Sequence, residues 1–199
     1  MSNNEKRTTV MYIHGYGSDG NAMKGQLLRK MLPEWRVVSP TFDYDHSTPW
    51  EIQKQIVAVV DAEGVDMMVG SSFGGYHALC TASWFQGPIW AVNPVRDVLS
   101  TIRLIAGDRP GAEHFAALYA DFDQLIFQPL VHHAGDGAGR VSAPLYFALS
   151  LDDELLGDHA PLLQLFPHHK EVIWKDHSGH HFLRFEELEH PLRHSLGLE

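Results

Sequence analysis

The stretch Val69-Gly70-Ser71-Ser72-Phe73-Gly74-Gly75-Tyr76 decides the predicted fold of this chain. It contains the pattern G-x-S-x-G, with a short apolar run before it and a run that can form a helix after it. Where such a pentad joins a strand to a helix it forms a nucleophile elbow, which lifts the central serine clear of the sheet. Ordinary glycine-rich turns have the same composition, so Ser72 is a candidate nucleophile only if the chain supplies its partners.

Strands and helices alternate on both sides of this turn. Six short apolar runs are predicted as strands, at residues 8–14, 35–40, 67–70, 89–92, 144–150 and 171–175. The predicted helices cover residues 19–32, 49–63, 73–85, 161–166 and 182–196. Ser18 or Asp19 is expected to cap the first helix, and Thr48 the second. This alternation predicts an α/β protein with a mostly parallel sheet of about six strands and helices on both faces.

Residues 96–140 interrupt the alternation. They show no clean succession of strand and helix, and they include the glycine-rich run 135–139. We expect a small insertion of helices and loops within a single domain that covers residues 1–199. Insertions of this kind often cover a site. The apolar residues of this segment could form a lid, although packing onto the sheet is the commoner arrangement for such side chains.

The composition excludes several classes of function. The formal net charge is −10 with histidines neutral, so no clustered basic surface is available to neutralise nucleic acid phosphates or to bind an anionic membrane. The fourteen histidines include adjacent pairs, but no H-E-x-x-H motif occurs, and no metal or organic cofactor is predicted. The polar N-terminus and the absence of a long apolar run predict a cytoplasmic protein without membrane insertion.

Candidate partners for the serine follow two later predicted strands. A serine hydroxyl needs a base to take its proton, and the base needs an acid to orient it. In α/β-hydrolases the order is serine, acid, histidine, with the histidine after the last strand. Two loops of this chain have suitable residues in that order. They are Asp152, Asp153 and Glu154 after the strand at 144–150, and His177, His180 and His181 after the strand at 171–175.

Position within the first loop favours one acid. A carboxylate two or three residues beyond a strand can reach across to a neighbouring loop, so Asp153 is preferred and Asp152 is the alternative. Glu154 is expected to cap a turn or to face solvent. The chemistry alone leaves the three histidines open.

Backbone N–H groups are expected to complete the site. An oxyanion hole needs two preorganised donors, one of which is normally the residue after the nucleophile, here Phe73. The other should come from the loop after the first strand, where His14-Gly15-Tyr16-Gly17 offers the N–H of Tyr16.

The chain resembles the small bacterial YqiA-like esterases, which are single-domain α/β-hydrolases of about this length. The resemblance is carried by residues 12–16, 69–76, 92–94, 153–156 and 179–182, with Phe185-Glu186 and the closing Leu196-Gly197-Leu198. It implies a triad of Ser72, Asp153 and His180, because counting back from Phe185-Glu186 favours His180 over His181. The chain differs from the family pattern in its glycine-rich run and in Asp152, where the family tends to carry glycine.

These observations together predict a serine hydrolase. We expect it to cleave small-molecule acyl esters or thioesters through an acyl-enzyme, with Ser72 as nucleophile, His180 as base and Asp153 as the orienting acid. The alternative is a non-catalytic protein of the same fold that binds a small molecule or a protein through the same pocket.

Overall fold

One parallel sheet forms the centre of the protein. A computed structural model describes residues 7–107, 112–134 and 141–198. The strands are β1 (Thr9–Ile13), β2 (Arg36–Val38), β3 (Met67–Ser71), β4 (Ile89–Val92), β5 (Leu145–Ser150) and β6 (Glu171–Lys175). They lie in the order β2-β1-β3-β4-β5-β6, and every neighbouring pair is parallel. The predicted six-stranded parallel sheet is therefore confirmed, and all carboxyl ends of its strands lie at one edge.

Helices cover both faces of this sheet. They are α1 (Met23–Met31), α2 (Pro49–Glu63), α3 (Phe73–Leu79), α4 (Val98–Ala106), α5 (Ala112–Phe122), α6 (Gln128–Ala134), α7 (Ala160–Leu165) and α8 (Glu189–Ser195). Asp123–Phe127 form a π-helical segment before α6, and Phe185–Leu188 form a 3₁₀ helix before α8. Beneath these layers the inner strands β1, β3 and β4 are buried along their whole length.

The alternation of side chains along the strands separates two apolar cores. Along β1, Met11 and Ile13 pack with α2 to α5 and α7, whereas Val10 and Tyr12 pack with α1 and α8. All five residues of β1 are buried, as a strand covered on both faces requires. The predicted helices on both faces are confirmed.

The ends of α2 follow the sequence prediction. The Thr48 hydroxyl accepts a hydrogen bond from the Glu51 N–H, and the Glu51 carboxylate accepts one from the Thr48 N–H. This capping box satisfies two amides that the first turn of the helix leaves without partners. Gly64 ends the helix in a left-handed conformation with φ of 62°.

The start of α1 differs from the prediction. The helix begins at Met23 after Ala22, so neither Ser18 nor Asp19 caps it. The preceding residues are held by another loop, because the Gly20 N–H donates to the Thr41 hydroxyl at 3.0 Å. Gly20 also lies so close to that loop that an added Cβ would be 2.3 Å from the Ser39 carbonyl oxygen. A tertiary contact that periodicity does not reveal therefore delays the helix.

Two other helices are shorter than the sequence indicates. The helix after the elbow ends at Leu79 rather than at residue 85, and turns follow it. The predicted closing helix over residues 182–196 is divided into the 3₁₀ helix and α8.

Among its described residues, the segment that interrupts the alternation is mainly helical. Ile102, Tyr119, Phe122 and Phe127 are buried in the core that contains α2 and α3. The glycine-rich run 135–139 lies outside the described residues. Within the described part of the chain, none of the helices combines the length and the apolar character needed to span a bilayer.

Candidate active site

Ser72 lies on a strained turn between β3 and α3. Its backbone has φ of 55° and ψ of −120°, which an L-residue adopts only when its surroundings enforce it. Two hydrogen bonds fix the turn to the end of β4. The Ser72 N–H donates to the Val92 carbonyl at 2.9 Å, and the Ser72 carbonyl accepts from the Val95 N–H at 3.1 Å. The serine is therefore held at the carboxyl edge of the sheet.

The elbow glycines allow the backbone to approach itself closely. A Cβ on Gly70 would be 2.4 Å from the carbonyl oxygen of Gly74. A Cβ on Gly74 would be 2.2 Å from the carbonyl oxygen of Ile13, at the end of β1. Real Cβ atoms do not tolerate such distances, so both positions of the G-x-S-x-G pattern are set by packing.

The structure brings the three predicted triad residues together. The Ser72 Oγ lies 3.0 Å from Nε2 of His180, in the loop after β6. The other ring nitrogen of His180, Nδ1, lies 3.1 and 3.0 Å from the two carboxylate oxygens of Asp153. An ionised carboxylate only accepts hydrogen bonds, so Nδ1 carries the proton in that state and Nε2 is free to accept from the Ser72 hydroxyl.

The Asp153 carboxylate is buried and holds several further donors. It accepts from the N–H groups of Leu155 at 3.0 Å and Leu156 at 2.8 Å, and from Nε2 of His159 at 2.9 Å. Burial alone would raise the pKa of the Asp153 carboxyl. The hydrogen bonds from His159, His180 and Leu156 outweigh burial and keep the pKa of Asp153 well below its ordinary value.

The acids on either side of Asp153 bind the histidine loop by its backbone. Oδ1 of Asp152 accepts from the N–H groups of Ser178 and Gly179, both at 3.0 Å. The hydrogen bond from Gly179 is the main cause of a lowered pKa at Asp152. Oε2 of Glu154 accepts from the His180 N–H at 2.8 Å. Of the three neighbouring acids, Asp153 is thus the one that contacts the His180 ring.

Within the described residues, neither of the other two candidate histidines is hydrogen-bonded to Ser72 or Asp153. The side chain of His177 is 91% exposed, and its Nε2 lies 3.3 Å from Oδ2 of Asp176. His181 is exposed at the border of the cleft described below.

Asn93 joins the ends of β4 and β5 to the histidine loop. Its Nδ2 lies 3.0 Å from the Ser150 hydroxyl and from the carbonyl oxygens of Gly179 and His180. Its Oδ1 accepts from the Ser150 N–H at 2.8 Å. Asn93 is fully buried with φ of 41°, a conformation that asparagine tolerates better than most residues. Asn93 therefore fixes the backbone of Gly179 and His180, and with it the position of the His180 side chain.

A buried histidine shapes the loop after β1. Nδ1 of His14 donates to the Gly15 carbonyl at 2.8 Å, and its Nε2 accepts from the Phe42 N–H at 2.9 Å. The Tyr44 hydroxyl donates to the His14 carbonyl at 2.8 Å. Burial lowers the pKa of His14, which favours the neutral ring that this pattern needs. His14 is therefore part of the scaffold of the site.

The two predicted oxyanion donors border the same space as Ser72. Phe73 is the first residue of α3, where a helix leaves its N–H groups without intrahelical acceptors. Tyr16 follows Gly15, whose added Cβ would be 3.3 Å from the Ser72 Cβ. The rings of Tyr16 and Phe73 meet edge to face with centroids 6.1 Å apart. The loop after β1 and the first turn of α3 therefore enclose the hydroxyl from two sides.

A cleft of about 380 Å³ opens over Ser72 and His180. Tyr16 and Phe73 form part of its wall, α4 contributes Thr101 and Ile105, and the turn after β5 contributes Leu155. α1 contributes Lys24, which is not among the site residues predicted from the sequence. A smaller pocket of about 170 Å³ beside it shares Thr101 and Leu155 and reaches His159.

One group of side chains in the described residues has the spacing of metal ligands. It consists of Asp152, Asp176 and His177, whose ligand atoms all lie within 4.8 Å of one another. All three are exposed, and Asp152 already accepts two backbone hydrogen bonds. Exposed acidic groups of this kind are common without an ion, so the group indicates no metal centre.

Comparison with solved structures identifies the fold. Est1E from Butyrivibrio proteoclasticus superposes with a TM-score of 0.70 at 16% identity, over 98% of this chain and 90% of that chain. A monoacylglycerol lipase from Paleococcus ferrophilus gives a TM-score of 0.66 at 14% identity, over 96% and 95% of the two chains. MGS-MChE2, an α/β hydrolase enzyme from a metagenome of lagoon sediments at Mar Chica, Morocco, gives 0.62 at 16% identity, over 95% and 90%. Similarity at these identities shows the α/β-hydrolase fold.

A match to a family model shows which protein family the chain belongs to. The model of the uncharacterised protein family UPF0227 matches residues 9–194, which include every strand of the sheet, the elbow and the loops that carry Asp153 and His180. The chain therefore belongs to the YqiA-like family UPF0227 and has the α/β-hydrolase fold.

Proposed function

We propose that the protein is a serine hydrolase that cleaves carboxylic esters or thioesters through an acyl-enzyme. The observation that carries the proposal is the continuous line of hydrogen bonds from the Ser72 hydroxyl through His180 to the Asp153 carboxylate, at the floor of an open cleft. Several of the solved structures that the chain resembles are esterases, lipases or other hydrolases, and this agrees with the proposal.

Acylation begins when a substrate carbonyl lies against the Ser72 hydroxyl. The Ser72 oxygen bonds to the carbonyl carbon while its proton passes to Nε2 of His180. Ionised Asp153 stabilises the imidazolium that forms, and its low pKa keeps it ionised at neutral pH. The negative charge on the former carbonyl oxygen is accepted by the N–H groups of Phe73 and Tyr16.

Collapse of this intermediate releases the first product. The bond from carbon to the leaving oxygen or sulfur breaks, and Nε2 of His180 gives its proton to the leaving alcohol or thiol. A water molecule then donates a proton to His180 while its oxygen attacks the acyl carbon. The bond from the acyl carbon to the Ser72 oxygen then breaks, and Nε2 of His180 returns its proton to that oxygen. The carboxylic acid leaves and the Ser72 hydroxyl is restored, and none of these steps uses a metal or an organic cofactor.

Hydrolysis of 4-nitrophenyl butyrate and labelling by a fluorophosphonate probe test the proposal. The unaltered protein should hydrolyse the ester and take up the probe, because the probe bonds only to an activated serine. Ser72→Ala should abolish both, and Ser71→Ala is the matched control that should still take up the probe. Circular dichroism and thermal unfolding of each variant verify that the fold is retained.

Failure to label would favour a different class of function. If the folded, unaltered protein neither takes up the probe nor hydrolyses the ester, it is better described as a binding protein of the same fold. Retained hydrolysis in Ser72→Ala would refute the assignment of the nucleophile.

A further inference from the structure

Lys24 is a buried cation in the cleft that contains Ser72. The residue is 8% exposed and lines the cleft together with Ser72 and His180. Within the described residues, Lys24 forms no hydrogen bond and no ion pair, and none of the residues that line the cleft is an aspartate or a glutamate. A lysine this deeply buried is normally paired, so its lack of a protein partner requires an explanation.

Two aspartates that lie close to cleft residues in sequence or in contacts have other hydrogen-bond partners. Asp19 accepts from the Asn21 N–H at 2.7 Å, and Asp45 accepts from the Tyr16 hydroxyl. Burial, with no compensating partner, lowers the pKa of Lys24 to about 8. The side chain is therefore still mostly protonated at neutral pH. Its positive charge lies at the wall of the cleft, where a bound ligand can pair with it.

The start of α1 strengthens this positive end of the cleft. Ala22, Met23 and Lys24 all line it, and the first turn of α1 has neither an acidic residue nor a side-chain cap. The first N–H groups of a helix lack intrahelical acceptors and carry a partial positive charge. An anion bound beside Lys24 would accept from these groups as well.

Close packing holds α1 in this place. A Cβ on Gly25 would be 3.1 Å from both Cδ1 of Tyr12 and the Ser39 hydroxyl oxygen. Glycine at this position therefore lets the helix approach β1, and Lys24 is directed over the carboxyl edge of the sheet.

We propose that Lys24 binds a negatively charged group of the substrate, so that the protein prefers esters or thioesters that carry a carboxylate or a phosphate. The inference rests on the proposed hydrolase function and adds its substrate class. The buried, unpaired ammonium, the uncapped helix start and the absence of carboxylates from the lining of the cleft favour an anionic ligand over a neutral one.

Matched neutral and anionic esters test this preference. For charge on the acyl side, 4-nitrophenyl butyrate is compared with the mono-4-nitrophenyl ester of glutaric acid. For charge on the leaving group, phenyl butyrate is compared with the butyrate esters of 3-hydroxybenzoate and of 3-hydroxyphenyl phosphate. At least one anionic ester should have a kcat/KM about tenfold or more above its neutral reference, as a hydrogen bond to a charged group provides.

Variants of two lysines on the same helix show whether the preference for anionic esters depends on Lys24. Lys24→Met should remove most of the preference, and Lys24→Arg, which keeps the charge, should retain part of it. Lys30→Met is the matched control, because Lys30 lies on α1 but is exposed outside the cleft. A ratio of anionic to neutral kcat/KM that is the same in Lys24→Met and Lys30→Met would overturn the proposal. So would the absence of any preference in the unaltered protein.

A binding measurement separates this proposal from the hydrolase function. Calorimetric titration of Ser72→Ala with the glutarate monoester needs no turnover, and the double variant with Lys24→Met should bind it about tenfold more weakly. If no ester is hydrolysed by the unaltered protein, this measurement still decides the role of Lys24. Equal binding by the two proteins would refute that role and leave the hydrolase proposal to its own test.

Discussion

Oδ2 of Asp153 and Nε2 of His159 lie 2.9 Å apart, and both side chains are buried. The carboxylate that contacts His180 is thus held from the other side by a second imidazole. We expect His159 to be a positioning residue, since it has no contact with Ser72 in this arrangement and reaches the site only through Asp153. His159→Ala should lower kcat about tenfold and change KM much less, because a misplaced carboxylate affects the transition state more than binding.

Stability as a function of pH distinguishes this role from simple packing. The lowered pKa of Asp153 stabilises the fold above the ordinary value of 3.8, and this contribution is lost as pH falls through the lower value in the folded state. His159→Ala should reduce the free energy of unfolding at pH 7 by about 1–3 kcal/mol, and less below pH 3.8. His159→Gln, which keeps a donor, should recover part of both effects. A loss of free energy of unfolding in His159→Ala that is the same at every pH would contradict the role of His159 in holding the ionised Asp153.

The two neighbouring aspartates should respond differently to the same substitution. Asp153→Asn removes the charge beside His180 and should lower kcat by about 10³–10⁴-fold, as the loss of the acid does in Ser-His-Asp enzymes. Asp152→Asn keeps an oxygen that can accept from Ser178 and Gly179, so kcat should fall by less than about tenfold. Steady-state hydrolysis of 4-nitrophenyl butyrate measures both. Equal losses would indicate that Asp153 has no special role.

The buried charge of Lys24, which we propose binds the substrate, should lower the free energy of unfolding of the protein. Lowering its pKa from the ordinary 10.5 to about 8 corresponds to about 3 kcal/mol, at about 1.4 kcal/mol per pH unit. The unfolded chain binds the proton more tightly, so stability rises with pH between about 8 and 10.5. Lys24→Met should therefore raise the free energy of unfolding by about 3 kcal/mol at pH 7, and much less near pH 10.5. Urea unfolding at several pH values measures this, with Lys30→Met as the control.

Local patterns were sufficient to predict most of the fold. The apolar runs predict all six strands. The inner strands are apolar throughout because helices cover both of their faces, and the edge strands β2 and β6, which are less buried, still contain short apolar runs. Thr48 marks the start of α2. The predicted start of α1 was wrong, because the contact of Gly20 with the loop at Ser39 joins residues that are far apart in sequence. The division of the last helix was also missed.

The predicted site could be located from the order of strands, because all carboxyl ends of a parallel sheet lie at one edge. His159 was missed, since no motif marks it and it approaches Asp153 only through the turn before α7. The sequence does contain a pattern that indicates the position of Lys24. This residue precedes Leu28 by four residues and Met31 by seven, so it occupies the buried face of α1, where a charged residue is unusual.

Three consecutive acids in the turn after β5 hold the loop after β6. Asp152, Asp153 and Glu154 are consecutive, and each binds a different group of residues 178–180. Exposed loops usually accept insertions and deletions, but one residue added to or removed from either of these would displace all three carboxylates together. Changes in chain length during evolution should therefore be confined to other connections, such as the segment from 96 to 140, while these two loops keep a fixed length.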